Sequence, residues 1–432
     1  MRFPVVLFNM LPVSPRCIDT NRIADREHLF KGKMFRTYRY RLYPTDKQQE
    51  TLNEILWVAC WLYNRALDYR RKKWNESRKF VSWYDQIKIW SVWRNEEPTN
   101  NPLRLLNMSA GQRVLHRLDI AYCQFFKGKR GFPRFKKISR FNSVDYMYGD
   151  GIKIRNNRLY IQNVGLIKVR WYRALPEGKI KQVIILRKPS GWYALFQIDI
   201  PEQSVEKSTN PPIGIDVGLT HALALSDGTF YNSPKYLGQS LKKLRILQRS
   251  VARKKKGGKN WKKACYKVAR QYEHVTNQRR DWWHKTTRQL VDTYGVIVLE
   301  DLNLNFMCRN DKLSRAANDV ALGIFNELLS YKAIEAGVEI VRVNPRNTSQ
   351  VCSGCGSIVR KELSVRVHIC PHCGLILDRD TNAALNILEL GRSSWDVTWE
   401  VTPCVSQETP PLLIGRGVTS GIATDSSRSQ AV

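Results

Sequence analysis

Seven residues in the second half of the chain have the types and spacing to do chemistry. Cys352-x-x-Cys355 and Cys370-x-x-Cys373 form two pairs, with Gly356 and Gly374 each one residue past the second cysteine of its pair. Such a pair is a knuckle: the short spacing lets two thiolates approach one ion, and the glycine permits the left-handed turn behind them. Four thiolates favour a closed tetrahedral Zn²⁺ site with a structural role, because no position stays open for water. Two redox motifs are the alternative, but thioredoxin-like cysteines need their own βαβ context and do not come paired in this way. His368 and His372 lie nearby, yet four sulfurs already complete the shell.

The other three are acids beside apolar runs: Asp216 in GIDVG, Glu300 in VIVLED and Asp380 in DRDTNAALNI. Burying a carboxylate beside such a run is costly unless it is paired or binds a cation. Carboxylates converging from separate elements make a hard-oxygen site suited to Mg²⁺. Two such ions about 4 Å apart serve phosphodiester hydrolysis. Taken singly, each acid has a structural reading: Asp216 ends a strand, Glu300 pairs with one of 71 basic residues, Asp380 caps a helix. Asp378, Asp301 and Asp227 compete with them, and the last is explained by its turn with Gly228. Gly214 and Gly218 flank Asp216 and leave room for backbone or substrate to come close.

These residues need elements to hold them. PPIGIDVGLTHALALSDGTFYN reads as a buried strand ending in a carboxylate, then a hairpin turning at Asp227-Gly228. GVIVLEDLNL is a second buried strand ending in an acid, VEIVRVNP a third, and DRDTNAALNILEL the start of a helix. With a helical segment over 241–290, the order fits a mixed α/β domain with a central sheet. Upstream, FRTYRYRLYPT alternates as a strand from Met34, Pro44 breaks it, and Thr45 is the predicted N-cap of a helix over 46–75. Leu52, Ile55, Leu56, Ala59, Cys60, Tyr63 and Ala66 form its apolar stripe, and further helical segments follow near 80–95 and 109–127. Short runs between 140 and 200, separated by turn residues such as Gly149-Asp150-Gly151, predict an antiparallel sheet or small barrel. One strand before the helices and several after them imply helices inserted into a β domain. Ser204 to Pro212 reads as a linker.

The 432 residues suggest two to four domains, and 43% apolar with 25% charged residues excludes wholesale disorder. Seventy-one Lys and Arg against 38 Asp and Glu give 71 − 38 = +33, which calls for a polyanionic partner. Nucleic acid leads; a membrane surface is weaker, since no apolar run is long enough to span a bilayer. Residues 241–290 hold 17 Lys and Arg against Glu273 and Asp281, a net of +15 that includes Arg253, Lys254, Lys255 and Lys256. That excess suits phosphate contact with counterion release better than a merely solvated face. KGKRGFPRFKK interleaves Lys129, Arg130, Arg134, Lys136 and Lys137 with Phe132 and Phe135, which either stack on bases or anchor a core. Trp282-Trp283 reads as helix packing. At the N-terminus, Pro4, Asn9 and Pro12 interrupt the apolar stretch 3–13 and no small-x-small cleavage site follows, so it does not read as a signal peptide. Ten cysteines are too few for a disulfide scaffold, and a reducing, cytoplasmic location is expected.

Together, GIDVGLTHALALSDG, VIVLEDLNL, the VNPRNTSQVCSGCG to CPHCG ribbon and DRDTNAALNI resemble TnpB, the insertion-sequence-encoded RNA-guided nuclease similar to compact type V CRISPR nucleases. FRTYRYRLYPTDKQQETLNEILWVACWLYNRALDYR and the helix leading into KGKRGFPRFKK fit as well, so the resemblance runs from Met34 to Leu390. It implies a multidomain α+β fold: a wedge-like β-barrel over 34–45 and 140–205, and a helical recognition insertion over 46–139. A RuvC-like nuclease domain of RNase H-like fold would then occupy 206–350 and 375–391, with a zinc ribbon over 351–374 inserted in it. Residues 1–33 form an extension without an assigned role, and 392–432 a disordered tail.

By the same resemblance Asp216, Glu300 and Asp380 match the three catalytic positions. The D-x-N-A pattern selects Asp380 over Asp378. Relatives lacking these acids act as RNA-guided repressors, and here all three are present. The implied activity is RNA-guided, Mg²⁺-dependent DNA cleavage beside a short flanking motif, with two Mg²⁺, one structural Zn²⁺, a guide RNA from the transposon end and double-stranded target DNA. An RNA-guided DNA-binding regulator without cleavage, and a transposition-associated DNA strand transferase, are the alternatives.

Overall fold

The computed structural model describes residues 34–96, 101–201, 205–302, 314–362 and 365–392. The extension 1–33 and the tail from 393 lie outside the described residues. The chain divides into two compact units, one within Met1–Val205 and Tyr236–Gln278, the other within Glu206–Lys235 and Arg279–Val432.

The first unit opens with β1 (Met34–Tyr43), after which Thr45 caps the long helix α1 (Asp46–Ser77). The cap is a full capping box: the Thr45 hydroxyl accepts from the Gln48 N–H, and the Gln48 side chain accepts from the Thr45 N–H. Two further helices, α2 (Trp83–Asn95) and α3 (Met108–Phe126), complete the insertion. Arg70 of α1, 4% exposed, binds all three together by donating to Gln86 of α2 and to the Asp119 carboxylate of α3. The stripe Leu52, Ile55 and Leu56 meets Val144, Tyr146, Ile185 and Trp192 of the sheet, making one core from helix and strand faces.

Six more strands follow: β2 (Ser143–Met147), β3 (Ile152–Arg155), β4 (Arg158–Ile161), β5 (Gly165–Arg170), β6 (Lys179–Lys188) and β7 (Gly191–Ile200). They form a seven-stranded antiparallel sheet in the order β2-β6-β7-β1-β5-β4-β3. Its two edges, β2 and β3, are consecutive in sequence. Five Cα steps separate Met147 from Ile152, a reach of at most about 19 Å, whereas seven flat strands would span about 29 Å. The sheet must therefore curl. It stays open, because β2 and β3 are not paired among the described residues, so the expected antiparallel sheet or wedge-like barrel is a half-barrel.

The basic helices α4 (Tyr236–Ala252) and α5 (Lys259–Thr293) follow the second unit's first strands, yet α4 and α5 as far as Gln278 cluster with the first unit. The sequence reading groups them with the nuclease segment instead. One contact on that side is Glu273 of α5, which accepts from both the N–H and the hydroxyl of Ser190, at 2.8 and 2.6 Å, in the turn between β6 and β7.

In the second unit β8 (Pro212–Asp216), β9 (Leu223–Leu225), β10 (Phe230–Tyr231), β11 (Val296–Glu300) and β12 (Glu339–Val343) form a sheet in the order β10-β9-β8-β11-β12. β8, β11 and β12 run parallel, while β9 and β10 are antiparallel additions. Ile213, Ile215, Ile297 and Leu299 face a core with Trp283 and Leu290 of α5 and Phe325 and Leu328 of α7 (Leu322–Ala336), which follows the short α6 (Ser314–Val320). Trp283 is fully buried and its indole N–H donates to Val320 O, as helix packing requires. Val296, Val298, Val341 and Val343 meet Ile387 and Leu388 of α8 (Arg379–Arg392) on the other face. Between β12 and α8 lies a small ribbon with one hairpin, β13 (Val367–Ile369) and β14 (Ile376–Asp378). No helix among the described residues is long and apolar enough to cross a membrane.

Candidate functional site

Strand alternation decides where two of the acids point. Ile213 and Ile215 face one core, so Pro212, Gly214 and Asp216 face the side covered by α8. By the same rule Val296, Val298 and Glu300 share that side. The parallel pairing of Leu299 with Ile215 sets Glu300 beside Asp216 at the carboxyl ends of neighbouring strands.

Asp380 comes from the first turn of α8. The helix can lie against β8 because position 214 lacks a side chain: a Cβ there would stand 2.1 Å from Ala384 O. Asp378 has a different task. Its Oδ1 accepts from the N–H of Asp380 at 2.8 Å and of Thr381 at 3.2 Å, capping the helix.

The electrostatics tie the three acids together. Burial pushes the Asp216 carboxyl up to about 7, and the charges of Glu300 and Asp380 push the same way, against the Val217 N–H and Arg379. Burial also raises Glu300, opposed by the Thr348 hydroxyl that donates to it. Asp380 has the Arg366 guanidinium at 3.7 Å. A set of hard carboxylate oxygens with mutually repelling charge fits a divalent cation such as Mg²⁺. Among the described residues, only the four cysteines bring three or more His, Cys, Asp or Glu ligand atoms all within 4.8 Å of one another. The three carboxylates are thus spread more widely than a single tight cluster.

The cysteines do form such a cluster. Cys352 Sγ lies 3.6 Å from Cys373 Sγ, and Cys355 Sγ lies 3.6 Å from Cys370 Sγ. A tetrahedron with metal–sulfur bonds of about 2.3 Å has edges of about 3.8 Å, so the sulfurs already stand at ligation spacing. Gly356 and Gly374 each adopt φ +75°, as the knuckle turns require. The Cys355 thiol is drawn down to about 6, chiefly by hydrogen bonds from the Ser357 hydroxyl and backbone.

Sequence reasoning missed the polar residues between these two centres. Asn382, fully buried, donates to Val351 O at 2.7 Å and accepts from the Ser353 N–H at 3.0 Å. Asn386, one turn on, donates to Thr348 O and Val351 O. Their i, i+4 spacing puts both on one face of the helix beside Ala383, Ala384 and Ile387, a signal the sequence carries.

The basic candidates all belong to the first unit. Lys129, Arg130, Arg134, Lys136 and Lys137 are exposed in the segment between α3 and β2. Asn64 clamps that segment by bonding both the N–H and the carbonyl of Lys136, at 2.7 and 2.9 Å. Phe132 packs edge-on against Tyr122 and Phe125, and Phe135 lies under Arg71, while both remain nearly half exposed. Arg253, Lys255 and Lys256 are exposed, but the Lys254 ammonium donates to the carbonyl and hydroxyl of Ser250.

Three family models match this chain: one described as a probable transposase, IS605 OrfB, over residues 195–311; a Cas12f1-like TNB domain over 323–387; and a helix-turn-helix domain over 34–79. The last description does not fit the local structure, since those residues are one strand followed by one 32-residue helix. A protein of Streptomyces pristinaespiralis assigned as an RNA-guided DNA endonuclease is 31% identical over 360 residues, 82% of this chain and 89% of that relative. InsQ of Escherichia coli K12, assigned the same activity, is 28% identical, covering 84% of this chain and 93% of its own. Among solved structures, Cas12f1 in its complex with guide RNA and target DNA superposes with a TM-score of 0.52 at 16% identity, covering 86% of this chain and 87% of that one. The likeness is one of fold: a multidomain α+β architecture.

Proposed function

Starting from the fact that the chain belongs to the TnpB/IS605 OrfB family, we propose that it is an RNA-guided DNA endonuclease whose hydrolytic site is Asp216, Glu300 and Asp380. The observation that carries this reading is the placement of the three acids: Asp216 and Glu300 end neighbouring parallel strands, and Asp380 opens the helix packed against Gly214. Carboxylates whose charges repel one another beside an apolar core are costly to maintain unless a cation relieves them. These three residues would hold Mg²⁺, as a pair of ions, and the metal would supply the Lewis acidity that phosphodiester hydrolysis needs.

The chain's own groups supply placement and charge. The backbone positions of Asp216 and Glu300 are set by adjacent strand ends, and that of Asp380 by the first turn of a helix lodged against Gly214. A cation bound there would offset the burial and the repulsion that push the Asp216 carboxyl up, and so would favour its charged form. We read the second unit as the RuvC-like nuclease domain. Its ribbon would carry one structural Zn²⁺ on Cys352, Cys355, Cys370 and Cys373, with no position left for water. In the first unit, the half-barrel and its helices would grip a guide RNA–DNA heteroduplex through phosphate charge, at Arg253, Lys255, Lys256 and the segment Lys129–Lys137. Base pairing with the guide supplies the sequence specificity, and the protein reads a short flanking motif.

The test is guided plasmid cleavage by the protein–RNA complex. Asp216→Ala should lose cutting while it still binds the RNA. Full cleavage by that variant would sink the site assignment, and no cleavage by the natural chain with matched guide and flanking motif would sink the activity.

A further inference from the structure

Strand ends alone do not fix Glu300. A glutamate has three side-chain torsions, and holding it in one rotamer carries an entropic cost. Thr348, 4% exposed in the turn after β12, donates its hydroxyl proton to Glu300 Oε1 from 48 residues away. The hydroxyl's other neighbour, Pro345 O, is more distant at 3.3 Å, so the single proton goes to the carboxylate. One oxygen of Glu300 is thereby oriented and the other keeps its lone pairs for a ligand.

Thr348 is itself held from the ribbon side. Its carbonyl accepts from Asn386 Nδ2 at 2.8 Å, and the same amide reaches Val351 O at 2.7 Å. Asn382 grips Val351 O and Ser353 N, the residues on either side of Cys352. A chain of hydrogen bonds therefore runs from the first cysteine knuckle, through two asparagines of α8, to Glu300.

We propose that Thr348 is a positioning residue that orients Glu300 for cation binding, and that Asn386 makes the ribbon part of this support. The inference rests on the reading of Glu300 as a ligand of the hydrolytic site. It assigns the ribbon a role beyond stability: the knuckle backbone sets the orientation of an acid far from it in sequence.

The test compares Thr348→Val, which keeps the β-branched shape and removes the hydroxyl, with Thr348→Ser, which keeps the hydroxyl. Full-length protein–RNA complex is titrated with Mg²⁺, and both the rise in melting temperature and the guided cleavage rate are followed. Loss of such an outer-sphere partner typically costs 10- to 100-fold in metal affinity, so the Thr348→Val midpoint should move at least about 10-fold upward in Mg²⁺. Thr348→Ser should stay at the wild-type midpoint. A Thr348→Val midpoint equal to wild type overturns the proposal, and so does a Thr348→Ser midpoint shifted as far as that of Thr348→Val. If the thermal midpoints differ as expected while the wild-type chain cuts nothing, the positioning role stands and the nuclease reading fails. A wild-type chain with no Mg²⁺ response overturns both.

Discussion

Gly214→Ala tests how the third acid is placed. Glycine in the middle of a strand weakens it, so something must require the missing side chain. A Cβ at 214 would lie 2.1 Å from Ala384 O and 2.7 Å from both the Cβ and the N of Leu388. Since real Cβ atoms essentially never come closer than 3.0 Å, α8 must retreat by at least 3.0 − 2.1 = 0.9 Å. The nearest atom is a main-chain carbonyl inside a helix and cannot swing aside as a side chain would. Overpacking of this kind costs about 2 kcal/mol, or about 4–8 °C in melting temperature for a unit of this size. The chemical effect should be larger, because α8 carries Asp380 and a misplacement of about 1 Å costs about 100-fold in rate. Single-turnover guided cleavage and a thermal melt measure both. Gly323→Ala is the control: in α7, with nothing within 4 Å of its built Cβ, it should leave cleavage unchanged and gain up to about 1 kcal/mol. Unchanged melting and unchanged cleavage in Gly214→Ala would refute the close-approach argument. A variant several degrees less stable that cut at the wild-type rate would refute the link from helix position to catalysis.

Two further outcomes follow from the two centres. Asp216 is raised from 3.8 to about 7, so its contribution to stability is fully present below about pH 3.8 and is lost as pH rises through about 7. The raised Glu300 acts in the same sense. Mg²⁺ should therefore lift the melting temperature more at pH 8 than at pH 6, and an equal lift at both would contradict the buried-carboxylate account. For the ribbon, metal analysis should return about one Zn per chain, with Cys370→Ser abolishing it and lowering stability; a zinc-free chain with wild-type melting and cleavage would refute the structural role.

Some of this was legible because the signals are local. Thr45 followed by Gln48 forms the capping box that Pro44-Thr45 announces, and the two cysteine knuckles form a sulfur cluster with glycines in the left-handed turns. The buried strands ending in Asp216 and Glu300 are visible as apolar runs that stop at an acid. Other features depend on partners the sequence does not mark. α4 and α5 read as one basic stretch, and nothing in their charge says which unit they join. Long-range contacts such as Glu273 with Ser190, in a turn 83 residues earlier, are not marked in the sequence. The open half-barrel is likewise invisible, since β-propensity tells a strand from a helix and not a paired edge from a free one.

The acids also differ in how their positions are specified. Asp216 and Glu300 end strands paired in one parallel ladder, whose register the alternating apolar faces of β8 and β11 specify. A helix packed on a sheet shares no ladder with it, so the position of Asp380 has to come from discrete contacts. Gly214 sets how closely α8 approaches β8. Asn382 and Asn386, bonded to Thr348, Val351 and Ser353, fix its rotation about its own axis. Asp378 fixes where its first turn begins. In sequence these residues look like ordinary turn or surface polar residues, because hydrophobic periodicity registers only apolar positions. The backbone position of the third acid is therefore more exposed to single substitutions than that of the two strand acids. Changes at Gly214, Asn382 or Asn386 should reduce cleavage before they unfold the second unit, whereas substitutions along the β8–β11 ladder should do the reverse.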